Sequence, residues 1–190
     1  MATLRIPHQF QLTQEQFEQL ARVNRDLRLE RTATGELMIM PPTGSITGNL
    51  NLDIEGQLWL WNRQTKLGQA FNYSTGFHLP NGANRSPDAA WVSQERWDSL
   101  TAEQQEGFAP LCPDFVVELR SAADNLKPPQ EKMQEYLDNG TRLGFLIDRK
   151  HKKVEVYQPN QAVKVLDCPN SVSGAEVLPG FILDLTEVWK

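Results

Sequence analysis

The sequence predicts a single α/β domain over residues 1–190, more fully an α+β mixed sheet with helices packed on it. Three observations predict it. From about Thr47 to Asp148 the hydrophobic period changes in the order helix, three strands, helix, strand, and more strands follow. The 190 residues suffice for one ordinary core; the 39% hydrophobic content is low, but five Trp and eight Phe provide large anchors. No internal repeat or low-complexity linker divides the chain.

Each element has its own signal. Thr13 to Gln16 fits a capping box that opens a helix running to about Arg25. Leu27 to Arg31 alternates as a strand does, "TATG" turns, and "ELMIM" returns as a second strand. "PPTGS" breaks the chain. From Thr47 to Thr65, Leu50, Ile54, Leu58 and Trp61 recur at three- and four-residue steps, so one helix face is apolar and should pack on a sheet. In the same helix, "LWLWN" sends Leu58, Leu60 and the two Trp residues into the core, or else forms an aromatic surface for a partner.

"GQAFNYSTGFHLP" reads as one strand, "NGAN" as a turn, "PDAAWV" as a short strand and "SQERWDSL" as a short helix begun by Ser93. "DFVVELR" is the next strand. "PPQEKMQEYLDNG" is a helix with proline near its start and Gly140 at its stop. "LGFLID" is a buried strand, and "KVEVYQ", "AVKVLD" and "GFILDL" follow as a meander.

Composition removes several function classes. No apolar run approaches a membrane span and the start has no signal-peptide pattern, so a cytoplasmic protein without a membrane partner is expected. Cys112 and Cys168 form no CxxC pair and read as ordinary reduced thiols. His8, His78 and His151 are scattered and no HExxH occurs, which argues against a histidine-built zinc site. "GSITGN" lacks the Walker lysine, and no GxGxxG occurs. The net charge of −5 argues mildly against a nucleic-acid binder, although carboxylates that hold cations would contribute to it.

The strand "PDFVVELR" carries the most chemistry. Side chains alternate across a strand, so Phe115, Val117 and Leu119 share one face, and Asp114, Val116, Glu118 and Arg120 share the other. A half-exposed antiparallel strand would show the same pattern. A second "PD", in "SPDAAWV", puts Asp88 at a strand end. Carboxylates on neighbouring strands can share a hard cation, and Mg²⁺ takes one or two of them plus waters and phosphate oxygens. On the following helix Met133, Tyr136 and Leu137 form the apolar face, with Lys132 at its edge one turn before Tyr136. Its ammonium can lean over the carboxylate strand, orient a water or stabilise transition-state charge. Gln130 lies two residues before it.

These residues bring out a resemblance. Over roughly residues 10 to 188 the chain resembles the bacterial Uma family of restriction-endonuclease-like proteins, within the PD-(D/E)XK nuclease superfamily. The similarity rests on "GELMIMPPTG", "STGFHLPNGANRSPDAAWV", "PDFVVELRS", "EKMQEYLDNGTRLGFLID" and "LPGFILDLTEVW", in that order and spacing. It implies a restriction-endonuclease-like core, αβββαβ, over about residues 45–150, with an extra N-terminal helix and hairpin and C-terminal strands. It also implies that Asp88 and Glu118 are the two acidic residues of the motif. The motif lysine would stand two residues after Glu118, where this chain has Arg120; the Uma pattern moves it to the next helix, at Lys132.

The implied activity is metal-dependent cleavage of phosphodiester bonds in nucleic acid, with DNA the expected substrate. Asp88, Glu118 and the Leu119 carbonyl would hold Mg²⁺ or Mn²⁺, and Lys132 would act on the attacking water. Arg120 cannot serve as a general base. Asp114, Gln130 and Tyr136 are accessory candidates, and Glu36 and Glu55 compete for the early acidic position. Arg85, Arg120, Lys127 and Lys132 are the expected basic rim. A homodimer is expected by analogy, since a duplex has two strands to cut. The alternative is an inactive or repurposed nuclease fold that serves as a binding module, which Arg120 and the net charge favour.

Overall fold

The computed structural model describes residues 10–121 and 125–190; His8 lies outside them. The chain runs α1 (Gln14–Val23), β1 (Arg28–Arg31), β2 (Leu37–Met40), α2 (Ser45–Thr65), β3 (Gly68–Asn72), β4 (Phe77–His78), β5 (Asn84–Arg85) and β6 (Ala89–Ser93). It continues with α3 (Gln94–Asp98), α4 (Ala102–Glu106), β7 (Phe115–Arg120), α5 (Lys127–Asp138), β8 (Leu143–Asp148), β9 (Lys153–Tyr157), β10 (Lys164–Asp167), β11 (Ser171–Ser173) and β12 (Ile182–Asp184).

Six strands form the central sheet in the order β10-β9-β8-β7-β6-β3. All neighbours are antiparallel except β7 and β8, which run parallel with Glu118 opposite Leu146 and Arg120 opposite Asp148. That pair needs a crossover, and α5 supplies it. The mixed sheet with flanking helices is the α/β architecture expected, and α2-β3-β6-β7-α5-β8 reproduces the order αβββαβ.

Alternation along the strands divides the core into two layers. Ala89, Trp91, Phe115, Val117, Phe145 and Ile147 face α2, whose Leu50, Ile54, Leu58 and Trp61 cover them together with the C-terminal segment. Gln57 pins that segment in place: its amide donates to the Asp184 carbonyl and accepts from the Asp184 N–H. On the opposite face Ala90, Val92, Val116 and Leu146 pack under Met133 and Tyr136 of α5. Gly144 makes this approach possible, since a Cβ there would lie 2.3 Å from Met133 Cε.

A second sheet, β2-β1-β5-β4, stands beside the α5 face. It joins the N-terminal hairpin to β5, and Arg31 pairs with Asn84. The hairpin thereby reaches the segment that carries Asp88.

Several sequence expectations require correction. "GQAFNYSTGFHLP" is two strands, β3 and β4, because Asn72 caps a turn by accepting from Ser74 and Thr75. The C-terminal strands do not form one meander: β9 and β10 extend the central sheet, while β12 pairs with β11 in a sheet of its own. The short helix α4 is opened by a capping box of Thr101 and Gln104, outside the elements expected from the sequence. Within "LWLWN" only Leu58 and Trp61 enter the core; Trp59 and Leu60 are each 51% exposed.

Replacing Gly144 by Ala should push the flexible Met133 side chain into another rotamer and leave α5 in place. We expect a loss of no more than about 1 kcal/mol, read from the urea unfolding midpoint.

Candidate functional site

The site forms where the α5 face of the central sheet meets the hairpin sheet. β7 is buried along its whole length, unlike a strand with a solvated outer face. Its charges are therefore compensated by partners.

Glu118 projects toward α5. Its Oε1 accepts from Lys132 Nζ at 2.8 Å and from the Tyr136 hydroxyl at 3.1 Å. Burial lifts the Glu118 pKa to about 7, and the charges of Asp88 and Glu30 add to the rise against the pull of Lys132. Burial also raises the Tyr136 hydroxyl well above its ordinary value, with Glu118 and Glu30 contributing, so the phenol stays a proton donor to the carboxylate.

Asp88 immediately precedes β6, the strand antiparallel to β7. Its Oδ2 accepts from the Leu119 backbone N–H at 2.8 Å, which fixes it next to the peptide that follows Glu118. Its Oδ1 lies 3.5 Å from Arg28 Nη1.

Lys132 is 14% exposed. Besides Glu118, its ammonium reaches Glu30 Oε1 at 2.9 Å and the Ser86 carbonyl at 3.3 Å. Burial pulls its pKa down, but the two carboxylates outweigh that effect and the net direction is upward. The structure thus brings Asp88, Glu118, Leu119, Lys132 and Tyr136 together in one cluster.

Of the accessory candidates, Tyr136 joins the site and the others bond elsewhere. Asp114 lies four residues before Glu118, roughly 13 Å along the strand. There it accepts from the Ser93 N–H at 2.8 Å and pairs with Arg96 at 3.0 Å, joining β7 to the start of α3. Gln130 bonds Glu155 on β9 at 2.8 Å. Arg120 pairs with Asp148 at 2.6 Å and lies 3.3 Å from His151 Nδ1. Glu36 sits at the turn end of the hairpin, where its N–H donates to Thr32. Glu55, on α2, accepts from the Tyr73 N–H at 2.9 Å. Burial raises its pKa against the opposing Tyr73 hydrogen bond, and the Asp88 charge adds to the rise.

Two further residues were missed. Glu30 is 1% exposed and binds Lys132, Arg85 and the Ser86 N–H. Burial opposes its ionisation, but Lys132 and Arg85 bring its pKa below the ordinary value. Arg28, two residues earlier on the same strand face, holds Asp88 and the Ser86 carbonyl. The alternation of Leu27 to Arg31 was legible, and with it the shared face of Arg28 and Glu30; no local signal indicated where that face would dock.

The expected basic rim is also different. Arg85 is tied to Glu30 and Glu135, Arg120 to Asp148, Lys132 to two carboxylates, and Lys127 pairs with Glu131 on the surface.

Residues 14–186 match the model of the Uma2 family, described as "putative restriction endonuclease". The chain belongs to this family. Its fold is similar to that in the crystal structure of a putative nuclease belonging to DUF820 from Anabaena variabilis ATCC 29413. The likeness covers 85% of this chain and 89% of that one, with a TM-score of 0.71 and 18% sequence identity. Among curated proteins, none matches.

For this Uma2 family member, the fit of a metal can be judged from the donors. Among the described residues, no group of three or more His, Cys, Asp or Glu side chains is gathered as a metal cage. Two carboxylates do stand side by side, Asp88 bonded to the N–H of the residue after Glu118, and among the described residues Glu118 Oε2 receives no hydrogen bond. Mg²⁺ needs only one or two carboxylates, with water and phosphate oxygens as further ligands. Asp88, Glu118 and the Leu119 carbonyl fit that requirement. No described helix is long and apolar enough to cross a membrane.

The raised Glu118 pKa has a defined stability signature. Between its ordinary value of 4.5 and about 7 the folded state binds more protons at Glu118 than the unfolded state. Stability should therefore fall as pH rises through that window. Chemical unfolding in EDTA should show this loss in the wild type and a flatter profile in Glu118→Gln.

Proposed function

We propose that the protein is a metal-dependent endonuclease that hydrolyses phosphodiester bonds, with DNA as substrate and Mg²⁺ or Mn²⁺ as cofactor. The observation that carries this reading is the convergence of Lys132 on Glu118 beside Asp88, the latter bonded to the N–H of the very next residue, Leu119. Membership of a family described as putative restriction endonuclease supports it.

In this reading Asp88, Glu118 and the Leu119 carbonyl hold the cation. When bound, it would lower the pKa of a water and neutralise charge on the scissile phosphate. The chain's own residues do the rest. Lys132, kept protonated by its carboxylates, donates to the attacking water or to a non-bridging phosphate oxygen and offsets the charge that develops there. It acts as an orienting donor, because an ammonium with a raised pKa is a poor base. Tyr136 holds one Glu118 oxygen and so aims the other at the cation. Arg28 is the candidate for gripping the phosphate: its Nε is buried without a hydrogen-bond partner among the described residues, and its Nη1 lies beside Asp88. A second copy would supply the second cut in a duplex.

The decisive assay incubates purified protein with single- and double-stranded DNA in Mg²⁺, Mn²⁺ or EDTA. We expect metal-dependent nicking that drops by at least about 100-fold in Asp88→Ala, Glu118→Ala and Lys132→Ala. Absence of both cleavage and metal binding in the wild type would instead support a repurposed scaffold that acts as a binding module.

A further inference from the structure

The N-terminal hairpin lies outside the αβββαβ core, yet it carries Glu30, a buried carboxylate in contact with Lys132. We propose that Glu30 is a positioning residue for Lys132, holding the ammonium in the cleft when a divalent cation occupies Glu118. The inference rests on the metal-dependent nuclease reading above.

Lys132 Nζ sits almost evenly between two carboxylates, 2.8 Å from Glu118 and 2.9 Å from Glu30. A cation on Asp88 and Glu118 would compete with Lys132 for the Glu118 charge, and it would also repel the ammonium. A lysine on a flexible four-carbon stem that depended on Glu118 alone would then swing out. Glu30 removes that dependence because it is itself immobilised. Its Oε1 also takes the Ser86 N–H at 3.0 Å, and its Oε2 takes Arg85 Nη1 at 3.2 Å. Arg85 in turn is anchored to Glu135 of α5 at 2.6 Å. The Ser86 carbonyl, 3.3 Å from Nζ, is a second fixed acceptor. Lys132 therefore keeps two acceptors that no cation on Asp88 and Glu118 disturbs.

A purely structural role for Glu30, neutralising Arg85 to dock the hairpin, predicts different behaviour. The test is Glu30→Gln, which keeps an oxygen for the Ser86 N–H while removing the charge. Three quantities are measured: Mg²⁺ affinity by calorimetry, kcat and KM for DNA cleavage, and the side-chain ammonium NMR resonance of Lys132, assigned by its loss in Lys132→Met.

The wild type should retain the resonance with and without saturating Mg²⁺. Glu30→Gln should retain it without metal, where Glu118 still holds the lysine, and lose it with Mg²⁺. Its kcat should fall by about 100-fold, the scale of a misplaced catalytic group, with KM and Mg²⁺ affinity little changed. Wild-type kcat together with a retained resonance in Mg²⁺ would overturn the inference. So would loss of the resonance already without metal, since that is disruption of the cleft rather than of metal-bound positioning.

If Glu30→Gln does not fold, Glu30→Asp decides. It keeps the charge but withdraws it by one methylene; a folded variant that keeps the Lys132 resonance without metal and loses both it and kcat in Mg²⁺ supports the inference, while a retained resonance in Mg²⁺ or wild-type kcat overturns it. A wild type that neither binds Mg²⁺ nor cuts DNA would fail the nuclease reading itself, and this inference with it.

Discussion

A buried ammonium needs carboxylates around it, and Lys132 has two, Glu118 and Glu30. Leaving either of them unpaired in this cleft would cost several kcal/mol, so the three charges have to be assembled together. Much of the architecture serves that assembly. The apolar stripe of α5, with Met133 and Tyr136 seated on the sheet over Gly144, sets the height of Lys132 above β7. The parallel pairing of β7 and β8 requires a crossover, which is why a helix follows Glu118 and can return a lysine over it. The accessory sheet brings Glu30 in from the other side.

The positive groups of the cleft are almost all committed to internal carboxylates, which changes how nucleic acid would be held. A surface of free lysines would provide salt-sensitive, nonspecific attraction. Here Arg85, Arg120 and Lys132 are spent on Glu30, Glu135, Asp148 and Glu118. With a net charge of −5, the protein has little long-range pull on a polyanion. Recognition in the proposed reaction would depend on the cation and on few short-range contacts.

Much of the fold was legible because periodicity is a local property. The apolar steps of Leu50, Ile54, Leu58 and Trp61 and the alternation in "DFVVELR" each specify one element and one face. The parity of Asp114, Glu118 and Arg120 was legible too, and their common face is the one turned toward α5. Their separate partners were not. Asp114 bonds the start of α3, Arg120 bonds Asp148 and Gln130 bonds Glu155, and each choice depends on distances between elements that parity does not contain. Glu30 was invisible for the same reason: in sequence it is one charge in an alternating hairpin strand, and only the pairing of that hairpin with β5 carries it to Lys132.

The contact between Glu30 and Lys132 joins residues 102 positions apart. Closing so long a loop is entropically uphill until much of the intervening chain is already ordered. Contacts of this range are late events on a folding path, and they slow it. The cleft therefore differs in kind from a site built within one β–α unit: β7 and α5 can come together as neighbours, but the charge arrangement between them is finished only when the first strand of the chain docks. A partly folded chain with its central sheet formed would carry Asp88, Glu118 and Lys132 in proximity and still lack the group that completes them.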